Sequence, residues 1–146
     1  MKSVHKSVLI WYSAEQMFDL VTDVEAYPKF LPWCDRSAVL ARDAQGMQAQ
    51  VGISFGGIRQ SFTTRNEHTP GRQVDVRLVD GPFSTLEGHW RFTPVGEAAA
   101  GACKVDLQLD YAFRSAALAA LVGPVFDKIA GSLVDAFVKR AEQVYG

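Results

Sequence analysis

The residues able to carry acid–base, metal or nucleophilic chemistry are few and scattered. The histidines are His5, His68 and His89, and none has a cysteine, aspartate or second histidine at a spacing that gathers metal ligands on one element. Glu87, His89 and Arg91 alternate along one stretch, as do Asp75 and Arg77, so each set shares one face of a strand. That face is the predicted solvent side, which suits a hydrated charged surface better than proton transfer by His89. Cys34 and Cys103 are far apart in sequence; a disulfide is open to them, but two buried thiols fit a reducing compartment. Gly52-Ile53-Ser54-Phe55-Gly56-Gly57 runs from a strand into a turn and offers no helix N-terminus to a phosphate. No nucleophile elbow or dinucleotide fingerprint appears. These residues predict a protein that binds rather than catalyses, with no required cofactor and no metal.

The binding chemistry lies in the apolar residues. Tyr27-Pro28-Lys29-Phe30-Leu31-Pro32-Trp33-Cys34 sets three aromatics, a leucine and a cysteine around two prolines. Prolines at this spacing exclude a long helix and a central strand, so the segment is a bent, stiff connection. Tyr27, Phe30, Leu31 and Trp33 are expected to line the mouth of an apolar space, to act as its lid, or to form a membrane-touching edge; plain core packing is the competing reading.

The elements that would position these residues follow from periodicity. A strand over about 2–12 is followed by a short helix behind Ser13, with Glu15 and Gln16 in its first turn. A second, shorter helix begins after Asp23, which is expected to cap it, and is limited by Pro28 and Pro32. Strands then alternate over about 37–42, 47–55, 58–65, 74–78, 85–92 and 103–113, separated by glycine- and proline-bearing turns. Residues 94–101 read as an Ala- and Gly-rich loop. A long helix over roughly 116–144 closes the chain, with Gly123-Pro124 predicting a kink or a start at Pro124. A sheet with one dry face needs a cover, and this helix is the element large enough to supply it. Alternation points Phe55, Phe62, Trp90, Phe92, Tyr111 and Phe113 inward, and helical spacing points Phe126, Ile129, Leu133 and Phe137 toward them. Gln60, Thr64 and Tyr111 are the polar groups on that face which could meet a ligand's head group.

The length of 146 residues suits one domain, and 48% hydrophobic with 21% charged residues is a globular balance. Net charge is −1 and the pI about 6.3, which gives no overall attraction to nucleic acid or anionic lipid. Met1-Lys2-Ser3-Val4-His5-Lys6 lacks the apolar core of a signal peptide, and no run is long enough to read as a spanning segment, so a cytoplasmic protein is expected. The exposed faces show no self-complementary apolar patch, which favours a monomer.

Three pieces of sequence carry a family likeness. They are the Tyr27–Cys34 segment, the run Gly81-Pro82-Phe83-Ser84-Thr85-Leu86-Glu87-Gly88-His89-Trp90-Arg91-Phe92, and the ending Ala136-Phe137-Val138-Lys139-Arg140-Ala141. In this order they resemble the helix-grip, START-like proteins, and within them the coenzyme Q-binding COQ10 family with its bacterial ribosome association toxin branch. The resemblance spans residues 1–146 and implies one START-like, polyketide cyclase/COQ10-type domain. It implies an α+β fold: a curved antiparallel sheet of about seven strands wrapped around a long C-terminal helix, with two short helices after the first strand. It further implies a cavity for an isoprenoid such as ubiquinone, a place in respiratory electron transport, and peripheral contact with the inner membrane. The alternative it implies is binding to the large ribosomal subunit to block subunit association, for which Arg59, Arg65, Arg77 and Arg91 are the candidate ribosome-facing residues. Arg72 belongs to the same outer set. A polyketide cyclase-like enzyme is the second alternative.

Overall fold

The computed structural model describes residues 1–96 and 101–146. Strand β1 (Lys2–Ile10) leads to helix α1 (Ala14–Thr22) and a 3-10 turn (Val24–Lys29). Strands β2 (Cys34–Asp43), β3 (Gly46–Phe55), β4 (Ile58–Thr69), β5 (Gln73–Asp80), β6 (Phe83–Pro94) and β7 (Cys103–Phe113) follow, and α2 (Ala116–Tyr145) ends the chain. The strands form one antiparallel sheet in the order β1-β7-β6-β5-β4-β3-β2. This is a meander whose last strand returns to pair with the first. The helix-grip fold read from the sequence is therefore the observed one. The expected loop over 94–101 includes residues 97–100, which lie outside the described residues.

Local chemistry accounts for the helix ends. Ser13 Oγ accepts the Gln16 backbone N–H at 3.1 Å, and the Gln16 side chain accepts the Ser13 N–H at 2.9 Å, a reciprocal capping box. Asp23 departs from expectation: its side chain makes no cap to the 3-10 turn. Its backbone N–H instead donates to the Asp19 and Leu20 carbonyls and closes α1. α2 starts earlier than Pro124, because Ser115 Oγ accepts the Leu118 N–H at 3.1 Å and nucleates the first turn. The helix then runs through Gly123-Pro124.

Bulges at Cys34/Arg36 and Val39/Ala41 on the β2–β3 pairing, at Thr63/Thr64 between β4 and β5, and at Phe83/Thr85 between β6 and β7 bend the sheet around α2. Its dry face meets the helix in two clusters. Val122, Phe126 and Ile129 pack with Met47, Ile53, Phe83, Leu86 and Tyr111. Val134, Phe137 and Ala141 pack with Met17, Val21, Trp90, Phe92 and Leu107. Phe55 corrects the alternation reading: it is 45% exposed rather than inward. β5 pairs with β4 only from Thr63 onward, so the β3–β4 hairpin continues past the end of β5 as an arm flanked by β2. At its tip, side chains built on Gly56 or Gly57 would meet nothing, and Phe55 has no core to enter.

Candidate functional site: an apolar cavity under the long helix

Between α2 and the sheet lies an apolar cavity of about 110 Å³. Helical spacing presents Phe126, Ile129, Ala130, Leu133 and Phe137 to it from α2. Alternation presents Ala49 and Val51 from β3, Phe62, Thr64 and Asn66 from β4, and Val76 from β5. Leu86, Gly88 and Trp90 come from β6, and Leu107 and Leu109 from β7. Val24, Tyr27 and Trp33 close the remaining side.

The space exists because the residues around it are small. Ala49 and Ala130 carry only a methyl group, and Gly88 carries no side chain. A Cβ on Gly88 would sit 3.3 Å from Leu109 Cδ1 and 3.6 Å from Val76 Cβ, so the glycine keeps that part of the floor low.

The volume decides what fits. An apolar cavity of about 150 Å³ holds a benzene ring, whereas sites for larger ligands run from about 300 Å³ upward. At about 110 Å³ the space as formed falls short of that for a ring and matches one branched five-carbon unit. A long tail needs a way out between the helix and the sheet.

The wall is dry apart from one polar spot. Thr64 Oγ1 donates to Asn66 Oδ1 at 2.8 Å, and both residues are buried. The amide nitrogen of Asn66 remains as a donor for a carbonyl or hydroxyl placed in the cavity. Tyr27 is already engaged, since its hydroxyl donates to the Val21 carbonyl, and burial pushes its phenol well above its ordinary pKa. Among the described residues no carboxylate, histidine or lysine lines this cavity.

Of the residues singled out from sequence, the structure brings Tyr27, Trp33, Phe62, Trp90, Phe126, Ile129 and Leu133 together around the cavity. The others lie elsewhere. Phe30 packs edge-on against Tyr27 and Phe137, with the Arg140 guanidinium 5.1 Å from its ring centre. Leu31 is buried beneath it in the core. These contacts turn the Tyr27–Cys34 segment inward, away from a membrane-touching edge. Phe92 stacks on Trp90 and meets Phe18, outside the cavity wall. Tyr111 and Phe113 are on the dry face, but Phe83 and Phe126 fill the space before them. Gln60 sits on the arm, half-buried, outside the wall. Asn66 was missed because it is polar, although continuing the alternation from Thr64 by one step reaches it. Ala49, Gly88 and Ala130 were missed because small residues carry no sign of the space they leave.

The titratable groups sort onto other surfaces. His89 Nδ1 lies 2.7 Å from Asp75 Oδ1 on the outer sheet face. His68 stands edge-on to Phe18, and burial, with Arg42 and Arg65 nearby, lowers its pKa. Cys34 and Cys103 are free and buried, and burial pushes both thiols up to about 11. Among the described residues no group of three or more His, Cys, Asp or Glu side chains could hold a metal ion.

The outer arginines do not gather into one basic patch. Arg65 grips both oxygens of Asp43 at 2.8 and 2.9 Å and also reaches Glu67, holding the Asp43 carboxyl down to about 2. Arg77 lies 3.8 Å from Glu67 and Arg59 3.3 Å from Asp35. Arg91 is opposite Gln73 on one side and Asp106 on the other, and Arg72 donates to the Gly71 carbonyl. The face is a lattice of mixed charge.

Comparison with known proteins places this architecture. The family model described as polyketide cyclase / dehydrase and lipid transport matches residues 10–138. The chain is 49% identical over 146 residues to the ribosome association toxin RatA of Vibrio cholerae, covering all of this chain and 99% of that one. It is 32% identical over 142 residues to the mitochondrial coenzyme Q-binding protein COQ10 homolog B of Xenopus laevis, covering 97% of this chain and 58% of that one. In structure it is similar to the Zhui aromatase/cyclase from Streptomyces sp. R1128, with a TM-score of 0.85 at 17% identity, covering 99% and 96% of the two chains. That last likeness concerns the fold alone.

Proposed function

The chain belongs to the START-like polyketide cyclase / dehydrase and lipid transport family, in its ribosome association toxin branch, and from that premise we propose that it binds an apolar ligand in the cavity beneath α2 without transforming it. The observation that carries this reading is an apolar space beneath the helix whose wall, among the described residues, holds one buried hydrogen-bonded polar pair, Thr64 and Asn66. Such a site orients a ligand by one hydrogen bond and holds it by area removed from water, about 25 cal/mol per Å². A terminal isoprene unit matches the volume as formed, while a substituted quinone ring needs the cavity to widen; ubiquinone, with a role in respiratory electron transport, is the specific ligand we put forward. Tyr27, Trp33, Phe62, Trp90, Phe126, Ile129 and Leu133 would contact it. Among the described residues the wall carries no carboxylate, histidine, cysteine or lysine, which favours binding over cyclase chemistry.

The test is gentle native mass spectrometry of protein purified from its own cells, followed by extraction and identification of any retained molecule. A stoichiometric isoprenoid or quinone is the expected result. Ala130→Leu, which places three more carbons in the cavity, should weaken retention of added quinone about tenfold while leaving the melting temperature nearly unchanged. A protein that arrives empty and also refuses added quinone overturns the reading.

A second reading, association with ribosomes, is favoured by the full-length similarity to the Vibrio cholerae protein of that name. It predicts co-sedimentation with purified large ribosomal subunits that weakens as salt rises. Failure to co-sediment even at low salt removes it. The mixed-charge outer sheet face makes Arg91 and Arg77, less tied than Arg65, the informative positions to replace.

A further inference from the structure

One cation near the cavity is left without a partner. Arg36, Arg42, Arg59, Arg65 and Arg77 each pair with a carboxylate. Arg91 and Arg114 make no ion pair among the described residues, but both are exposed. Arg140 is half-buried, and its Nε is buried without a hydrogen-bond partner. Its helical neighbours explain why no acid of α2 reaches it, since they are Ala136, Phe137, Gln143 and Val144. A buried donor left unpaired is costly, so a fold that keeps one calls for a reason.

Phe30 stands between this guanidinium and the cavity. Arg140 Cζ lies over the Phe30 ring, 5.1 Å from its centre. The same ring meets Phe137 at 5.2 Å and Tyr27 at 6.1 Å. Both of those residues line the cavity, whereas Phe30 does not. Arg140 follows Phe137 by less than one helical turn, about 4.5 Å further along the axis and on the same side of α2. Phe30 itself ends the 3-10 turn, and its ring is half-buried. Rotation of that one side chain would join the cavity to Arg140 and remove the aromatic cover from the guanidinium.

We infer that Arg140 holds the oxygenated head of the ligand, at a mouth between the 3-10 turn and α2 that the Phe30 ring closes. This rests on the cavity being a ligand site, as proposed above. The volume divides the ligand into two parts. The space as formed takes one five-carbon unit, so a substituted ring that stays outside requires no widening. Such a ring takes the place of Phe30 beside Arg140. A guanidinium has donors only, set in a planar fork, and so it recognises two adjacent acceptor oxygens. A quinone carbonyl with its neighbouring methoxy oxygen presents such a pair, and so does a prenyl phosphate. The shared chemistry is a pair of oxygen acceptors on an isoprenoid stem. Binding exchanges a cation–π contact for charge-assisted hydrogen bonds in a partly dry mouth.

The experiment is calorimetric titration of the full chain, stripped of ligand by extraction. The probes are ubiquinone with a two-isoprene tail, geranyl phosphate, and the head-free hydrocarbon myrcene. The parent should bind one headed probe about tenfold or more tighter than the hydrocarbon. Arg140→Met keeps an apolar stem over Phe30 and removes the fork. It should weaken that headed probe about tenfold or more, while hydrocarbon binding and the melting temperature stay as in the parent. Ala130→Leu, inside the cavity, should weaken all the probes alike. Lys139→Gln, which removes the exposed cation next in sequence, should bind them as the parent does. A preference for geranyl phosphate that fades with salt supports the assignment with a phosphate head. A preference for the quinone that salt leaves unchanged supports it with a quinone head. Equal affinity of the parent for headed and head-free probes overturns the assignment and leaves the cavity reading standing, as does unaltered binding by Arg140→Met. Equal weakening of every probe by Arg140→Met also overturns it, because that marks a purely structural role. A parent that binds none of the probes overturns the cavity reading and this assignment together.

Discussion

Replacing Phe137 by alanine should cost about 3–5 kcal/mol of unfolding free energy and free the Tyr27–Cys34 segment before the rest of the molecule melts. Its ring is 2% exposed and stands edge-on to Tyr27, Phe30 and Trp90, with centroids 5.5, 5.2 and 5.3 Å away. It thereby joins three parts of the chain that have little else in common: the proline-bounded segment, the middle of β6 and the last third of α2. It also lines the cavity, so truncation enlarges that space instead of letting neighbours collapse into it. Urea unfolding gives the magnitude. Hydrogen exchange gives the location, through faster exchange of the Phe30 and Leu31 amides, both of which donate to the Tyr27 carbonyl. A loss below 1 kcal/mol, or unchanged exchange in that segment, would show that the closure does not depend on this ring.

The second large effect concerns the pin at the start of the sheet. Tyr111 donates its hydroxyl to one oxygen of Asp127, and the Lys2 ammonium takes the other, so a single carboxylate ties β1 and β7 to α2. Burial by itself would raise the Asp127 pKa; the hydrogen bonds from Lys2 and Tyr111 outweigh it and hold the carboxyl below its ordinary value. Asp127→Ala leaves the buried Tyr111 hydroxyl without a partner and should cost about 1–3 kcal/mol near neutral pH. The lower part of that range is expected, because the carboxylate is partly open to solvent. The pH dependence has a definite sign. A depressed native pKa adds stability that is complete above the unfolded-state value near 3.9 and is lost as pH falls through the native value. The deficit of the variant relative to the parent should therefore shrink as the solution is acidified below about pH 4. A deficit that stays constant to lower pH would mean that the carboxylate's charge plays no part.

How far the sequence discloses this arrangement depends on which property is asked for. β7 is legible to its ends, Cys103 and Phe113, because its apolar and polar residues alternate without a break. Phe55 continues an equally clear alternation in β3 and still points into solvent, because alternation reports which face a residue is on, not whether core remains opposite it. Gly123-Pro124 reads as an interruption of α2, but the Ser115 cap starts the helix upstream and the chain tolerates the missing donor. The cavity is the least legible feature. It arises where Ala49, Gly88 and Ala130 face one space from two strands and a helix, and only the pairing register and the helix position bring them together. Tyr111 and Phe113, which look equally suited to a wall, are instead covered by Phe83 and Phe126.

The return of β7 to β1 also fixes when the protein can be finished during its own synthesis. Lys2 pairs with Tyr111 and Ile10 with Cys103, so β1 leaves the ribosome long before its partner exists. At about 5–20 residues per second that wait is on the order of 5–20 seconds. Throughout it the β2–β6 hairpins can zip locally, whereas β1 and α1 have no sheet to join and no α2 to cover them. Closure of the sheet is thus a late, long-range event that waits on the emergence of β7 and α2 rather than on hairpin formation. Lys2, Ser3, His5, Lys6 and Ser7 keep the waiting strand polar along much of its length, which protects the nascent chain from pairing with its neighbours on the same message.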